Sequence, residues 1–587
     1  MWFRVTLTWS FLVLCLIRRN VKAPLCGRSR AGYRRRVTSL YSGTAVVPGI
    51  GVGPAVRPAP RPTAPENEPA GDPSATTVAF GSAAAEVAQR LRARSDAASG
   101  AASEVLAATA ALAEDRGLAT FVTKHAAAGA GPATATSKAI DELAAMFTAA
   151  GGLMAERVTD LYDVRDRIVA ELLHLPEPGI PVPDEPVVLL AEDLAPADTA
   201  GLDPTKIVAI ATELGGSTSH TAIIARQLGI PCVVAVTDLK EVPAGGRVAV
   251  DGTAGTVTVD PDEDQINALI EQDRRSREAA EGWSGPGRTS DGHPVQILAN
   301  VQDGPGARVA AEQPIEGVGL FRTELLFLER TTEPSVEEQA ELYSAVFEAM
   351  GDKKVIVRTL DAGSDKPLAF ATQPDEPNPA LGVRGLRIGL ADPGILDRQL
   401  DGIAAARERT SADVRVMAPM VTTEAEAQWF AERVRARGML AGIMIETPST
   451  VLLADRLFRH LDFVSIGTND LSQYTFAADR MAPTLSNLTD PWQPALLASI
   501  KLVADAGRRA GKPVGVCGEA AAHPLLACVL TGLGVTSLSC AATAVRAVGA
   551  RLSQVTFAQC EEAAAAALEA TDNLTAAKAA KDVLQPA

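Results

Sequence analysis

Ile207-Val208-Ala209-Ile210-Ala211 leads into Gly215-Gly216-Ser217-Thr218-Ser219-His220-Thr221-Ala222-Ile223-Ile224-Ala225-Arg226, and these two strings decide how the chain is read. The first is a short apolar block of the kind that forms a buried strand. In the second, Ile223, Ile224 and Leu228 return at helical spacing. Two glycines, three hydroxyl residues and a histidine therefore sit where a strand turns into a helix, the unit from which α/β folds are built. The glycines allow a tight backbone, and free N–H groups at a helix start attract phosphate. A neutral imidazole there is a competent nucleophile toward phosphorus. Taken alone, the spacing equally describes a helix capped by Ser or Thr beside an incidental histidine.

Working outward, the 587 residues suffice for two to four domains. Hydrophobic residues make up 47% and aromatics only 4%, so the cores must be built from Ala, Val, Leu and Ile. A net charge of −16 argues against nucleic acid as a partner. The seven cysteines contain no C-x-x-C pair, which fits a reducing cytoplasm rather than a disulfide framework or zinc site. Residues 5–17 are apolar but short for a membrane span, and most of the nearby basic residues follow them. No stable membrane insertion is expected. Residues 1–42 are read as an extension whose start is assigned too early.

Residues 43–74 and 180–261 read as one α/β domain. Its strand-like runs include 186–190, 207–211, 232–236, 247–250 and 256–259. Between its halves, 75–179 reads as an inserted Ala-rich helical subdomain, four helices by pattern, with Leu161, Val164, Ile168 and Leu172 at helical spacing. Plain packing and a protein-docking surface are both open for it. Residues 262–289 read as a linker helix ending at Ser284-Gly285-Pro286-Gly287.

From 290 to 587, eight strand candidates alternate with helices, which predicts a (β/α)8 barrel of the TIM type, with a doubly wound sheet as the other possibility. Polar residues stand at the ends of five of these strands: Arg322, Arg358, Glu446, Asn469 with Asp470, and Cys517. In a barrel such positions converge on one mouth. Glu446 and Asp470 are oxygen ligands of the type Mg²⁺ uses together with substrate phosphate and water. Arg322, Arg358 and Arg480 offer forked donors to phosphate and carboxylate. Cys517 is a candidate proton donor.

The string 215–226 resembles the phosphohistidine signature of the phosphoenolpyruvate-utilising enzymes. Asp462-Phe463-Val464-Ser465-Ile466-Gly467-Thr468-Asn469-Asp470-Leu471-Ser472-Gln473-Tyr474-Thr475-Phe476-Ala477-Ala478-Asp479-Arg480 is similar to their second signature. Gly319-Leu320-Phe321-Arg322-Thr323-Glu324, 358–366 and Gly515-Val516-Cys517-Gly518-Glu519 agree with it, and the resemblance covers about residues 43–560. Within the group the domain order resembles the Enzyme I family of the bacterial sugar phosphotransferase system. An ATP-dependent synthase or dikinase would need a large ATP-grasp domain ahead of the histidine. A degenerate scaffold would be expected to have lost some of His220, Glu446, Asp470 and Cys517. One departure is Ser217, where the family often carries a basic residue.

The resemblance implies that His220 attacks the phosphorus of phosphoenolpyruvate through Nε2, with Thr199 as a candidate orienting hydroxyl. Arg322, Arg358, Asn469, Asp470 and Arg480 would bind substrate, Glu446 and Asp470 would hold Mg²⁺, and Cys517 would protonate the enolate to pyruvate. It further implies transfer onward to a histidine of the carrier HPr docked on the inserted helices, and a homodimer formed through the barrel domain.

Overall fold

The computed structural model describes residues 39–584 except 60, 66–67, 70–71, 98–100, 151–156, 181–184, 195–201, 217–218, 329, 364–367, 373–375, 481 and 483–484. Thr199, Ser217, Thr218 and residues 1–38 therefore lie outside the described residues. Two structural layers follow one another along the chain.

The first is an eight-stranded sheet in the order β1-β8-β7-β3-β4-β5-β6-β2. Its strands are β1 (Ser39–Ser42), β2 (Thr44–Val47), β3 (Ile50–Val56), β4 (Val187–Ala191), β5 (Ile207–Thr212), β6 (Cys232–Val234), β7 (Arg247–Asp251) and β8 (Thr256–Val259). The sheet thus begins at Ser39, four residues before the start read from sequence, because Ser39–Ser42 pairs antiparallel with β8. The central neighbours β3, β4, β5 and β6 are parallel. Strands β4 and β6 are wholly buried, as expected of parallel strands covered on both faces.

Between β3 and β4 the chain leaves the sheet to form helices α1 (Pro73–Ala97), α2 (Ala101–Ala113), α3 (Arg116–Ala127), α4 (Pro132–Ala150) and α5 (Val158–Leu172). The pattern predicted four helices, whereas five are described. The Ala-rich periodicity runs through residues 101–127, but Asp115 interrupts it: its carboxylate accepts from the Leu118 backbone N–H and caps α3. On α5, Leu161, Val164 and Ile168 are each at most 1% exposed and seal the bundle core. Burying each such side chain stabilises the bundle by about 1.5–3 kcal/mol.

The second layer is a closed barrel of β9 (Gln296–Val301), β10 (Gly317–Arg322), β11 (Lys354–Arg358), β12 (Asp413–Ala418), β13 (Leu440–Ile445), β14 (Phe463–Ile466), β15 (Val514–Val516) and β16 (Ser537–Cys540), with β16 pairing back onto β9. Every neighbouring pair is parallel. All eight strand candidates therefore fall in one barrel, and the doubly wound alternative does not arise.

Helix α6 (His220–Leu228) follows β5, and helix α7 (Glu263–Gly282) joins the layers. A capping box between Asp262 and Gln265 starts α7. At its end Trp283 enters the barrel core, and Arg546 Nη1 donates to the carbonyls of Glu281 and Trp283 at 3.2 and 2.9 Å. The linker helix is thus fastened to the barrel at its carboxyl end. Among the described residues no helix is long and apolar enough to cross a membrane.

Candidate active site

Parallel strands deliver their last residues to one end of a barrel, so the end of each strand sets one wall of the site. Arg322 and Arg358 close β10 and β11, Glu446 follows β13, Asn469 and Asp470 open the helix after β14, and Cys517 follows β15. The structure therefore places all six at the carboxyl-terminal mouth, as the sequence predicts. Arg480 joins them through its Nη1, 3.2 Å from Asp470 Oδ2.

Backbone geometry brings these groups close. A Cβ on Gly518 would meet Thr468 Oγ1 at 1.8 Å, and one on Gly467 would meet Glu446 Oε2 at 2.9 Å. Only glycine lets the strand ends approach like this. Met420 takes a left-handed φ of 56° just beyond β12, and its backbone N–H donates to Glu446 Oε1 at 2.5 Å. Asn300 Nδ2 donates to the Cys517 carbonyl at 3.3 Å and so supports the thiol's position from β9.

Beneath the mouth lies a buried charge network. Arg358 places Nη2 2.5 Å from Glu324 Oε1 and Nη1 3.0 Å from Asp361 Oδ2. Arg384, 1% exposed, grips Asp361 with Nε and Nη2 at 3.0 and 3.1 Å. Its Nη1 lies 3.0 Å from Asp470 Oδ1. Arg322 has no ion-pair partner among the described residues, so its guanidinium is available to an anion. Burial first, then the Asp470 and Asp361 charges, push Glu446 up to about 8. Burial pushes the Cys517 thiol up to about 11, and its Sγ lies 3.5 Å from the Ile466 carbonyl.

Glu446 is fully buried, and its Oε2 has no hydrogen-bond partner. A buried carboxylate oxygen without a donor is costly. With Asp470 alongside, the pair fits a divalent cation that takes one or two protein carboxylates and completes its shell from substrate phosphate and water.

On the α/β side, Ser219 is the N-cap of α6 and accepts from the Ala222 backbone N–H at 3.3 Å. His220 is the first helical residue, so the capping reading holds and the histidine stands where backbone N–H groups point outward. Gly215 has a φ of 97°, a left-handed conformation that glycine adopts freely. Thr221 Oγ1 donates to Asp193 Oδ1 at 3.4 Å. The loop before α6 abuts the barrel: Gly216, Asn469, Arg480, Ser486, Asp490 and Glu519 line one crevice. Gly216 of the loop before the histidine helix thus shares a crevice with Asn469 and Arg480 of the barrel mouth.

Arg384, Asp361 and the Met420 N–H carry parts of this site that sequence reasoning did not assign. Arg384 and Met420 lie in loops beyond strand ends, where neither periodicity nor a strand terminus marks them. Asp361 and Glu324 lay inside strings already singled out, and their nearness to arginines in sequence was the available signal.

Residues 42–157, 183–255 and 277–557 match, in turn, models of the N-terminal, mobile and PEP-binding domains of PEP-utilising enzymes. The chain belongs to the PEP-utilising enzyme family. It is 50% identical over 483 residues to the phosphoenolpyruvate-protein phosphotransferase of Streptomyces coelicolor, covering 82% of this chain and 87% of that relative. It is 40% identical over 414 residues to the phosphoenolpyruvate-protein phosphotransferase of Staphylococcus carnosus, covering 67% and 71% of the two chains. It is also 40% identical over 468 residues to the multiphosphoryl transfer protein of Xanthomonas campestris pv. campestris, covering 76% of this chain and 55% of that one. The matched PEP-binding region contains every barrel-mouth residue described above, and the mobile region contains α6.

Proposed function

We propose that this PEP-utilising enzyme is a phosphoenolpyruvate-protein phosphotransferase: it takes the phosphoryl group of phosphoenolpyruvate onto His220, releases pyruvate, and passes the group to a histidine of the carrier HPr. The observation that carries the reading is the cleft shared by Gly216, in the loop before α6, and Asn469 and Arg480 of the barrel mouth.

In this mechanism Arg322 and Arg358 bind the phosphate, and Arg480 with the backbone around Asn469 binds the carboxylate. Neutral His220 forms the N–P bond through Nε2 as the P–O bond to the enol oxygen breaks, and the electron pair leaves with the enolate. The Cys517 thiol, which its burial keeps protonated at neutral pH, gives its proton to the enolate carbon to form pyruvate. Solvent then restores the thiol proton. Glu446 and Asp470 would hold Mg²⁺, which when bound offsets negative charge on the phosphate and the departing enolate. Thr199 would orient the second ring nitrogen of His220. The bundle of α1–α5 is the proposed HPr surface, and the barrel domain the proposed dimer contact.

The test is transfer of label from phosphoenolpyruvate with Mg²⁺, run beside labelled ATP, on wild type and His220→Ala, with and without HPr. Acid-labile label from phosphoenolpyruvate on wild type only, passed on to HPr, is the expected result. Label taken from ATP, or label retained by His220→Ala, refutes the reading.

A further inference from the structure

Two contacts tie the α/β layer to the barrel rim, with a close backbone approach beside them, and none involves a group the reaction uses. Thr44 of β2 donates its hydroxyl to Asp490 Oδ2 at 3.4 Å. The His523 ring lies beside the backbone of Thr253, in the turn between β7 and β8. Gly216 faces Ser486, whose Cβ would lie 3.7 Å from a Cβ placed on the glycine.

The barrel side of these contacts is built in advance. Asp490 is 7% exposed, and its Oδ1 accepts from the Trp492 backbone N–H at 2.8 Å. The Asn573 side chain, buried at the start of helix Asn573–Leu584, lies beside the same carboxylate. Trp492 sets its ring edge-on to His523, with centroids 5.7 Å apart and planes at 90°. The His523 Nδ1 accepts from the Leu526 backbone N–H at 3.3 Å, which directs the other ring nitrogen toward the Thr253 backbone. Asp490, Trp492, His523 and Asn573 come from three separate barrel segments yet form one ordered patch. Thr44 and Asp490 also line the cleft that holds Asn469 and Arg480.

A buried carboxylate carries a desolvation cost that its partners must offset, and one of the partners of Asp490 comes from the other layer. The Thr44–Asp490 bond is a single long hydrogen bond to a carboxylate. Such a contact registers two bodies without fastening them. We infer that Asp490, Thr44 and His523 form a docking clasp that holds the histidine-bearing layer in register on the barrel for the first phosphoryl transfer. They are positioning residues for that transfer and not for exchange with the carrier. The activity arm of the test rests on the phosphotransfer reading above.

The experiment uses the full chain and Thr44→Val, which keeps the shape of a half-buried strand residue and removes the donor. Rapid-quench labelling from phosphoenolpyruvate should slow about tenfold, the low end for loss of one hydrogen bond to a charged acceptor. Labelling of His220 in reverse, from phosphorylated HPr, should match wild type. Hydrogen exchange at the amides of 251–256 and 485–492 should rise at an unchanged melting temperature. An unchanged rate from phosphoenolpyruvate, equal slowing from both donors, or unchanged exchange overturns the clasp. If wild type takes no label from phosphoenolpyruvate, the phosphotransfer reading fails instead, and the exchange measurement alone decides the clasp.

Discussion

Replacing Arg384 with Met removes a guanidinium while keeping most of its volume, and the structure says what that costs. Three of its nitrogens lie 3.0–3.1 Å from oxygens of Asp361 and Asp470. Asp361 is fully buried, so water cannot take over the lost donors. Removing one partner of a buried ion pair costs about 3–5 kcal/mol. Here the lower end applies, because Arg358 Nη1 still stands 3.0 Å from Asp361 and Arg480 Nη1 3.2 Å from Asp470. A loss of about 3 kcal/mol should lower the barrel's melting temperature by about 6–12 °C. Urea unfolding followed by tryptophan fluorescence reads it, since Trp283, Trp429 and Trp492 all pack on the barrel core. Adding Asp361→Asn to Arg384→Met removes the stranded charge and should recover about 1–2 kcal/mol relative to simple addition of the two losses. The double variant should also be less active than wild type, because Asp470 no longer has its inner guanidinium. If Arg384→Met costs under about 1 kcal/mol, or the two losses simply add, Arg384 is not the centre of this network.

Cys517→Ala should leave most phosphoryl transfer to His220 in place while pyruvate release slows about a hundredfold or more; pyruvate formed at the wild-type rate would remove its role as acid. Folded Glu446 keeps its proton up to about 8, whereas its ordinary value is 4.5, so the folded state holds more protons between these limits. The metal-free protein should therefore lose stability as pH rises through that window, and Glu446→Gln should flatten the loss in pH-dependent melting curves. A cation needs the carboxylate, so the rise in melting temperature caused by Mg²⁺ should grow as pH approaches and passes that upper limit; a pH-independent Mg²⁺ shift would contradict it. Gly518→Ala should destabilise the barrel by about 1–3 kcal/mol in urea, because its methyl carbon would lie 1.8 Å from Thr468 Oγ1.

Strand positions were legible because alternating runs of Val and Ile between helical stretches have few solutions, and a parallel barrel is one of them. The mouth residues were legible for the same reason: once strands are placed, their ends are placed. Arg384 and Met420 were not, since each acts from a loop whose path depends on tertiary packing. The extra helix break at Asp115 was hidden because alanine continues a helical pattern on both sides of a cap. The strand Ser39–Ser42 was missed because four residues of mixed polarity signal an edge strand only once β8 lies beside them.

The two layers solve different problems. At the barrel mouth Arg358, Arg384, Glu446 and Asp470 are all buried, so the low local dielectric strengthens the interactions among them. A nucleophile anchored within that network could not leave it to meet a second protein. His220 stands instead at the first turn of a helix in a separate layer, capped by Ser219. Transfer in two directions then requires a rim contact strong enough to set register and weak enough to open, which the Thr44–Asp490 and Thr253–His523 pairs supply. Strengthening that rim, for instance with a longer donor in place of Thr44, should therefore speed loading from phosphoenolpyruvate and slow delivery to HPr in the same protein.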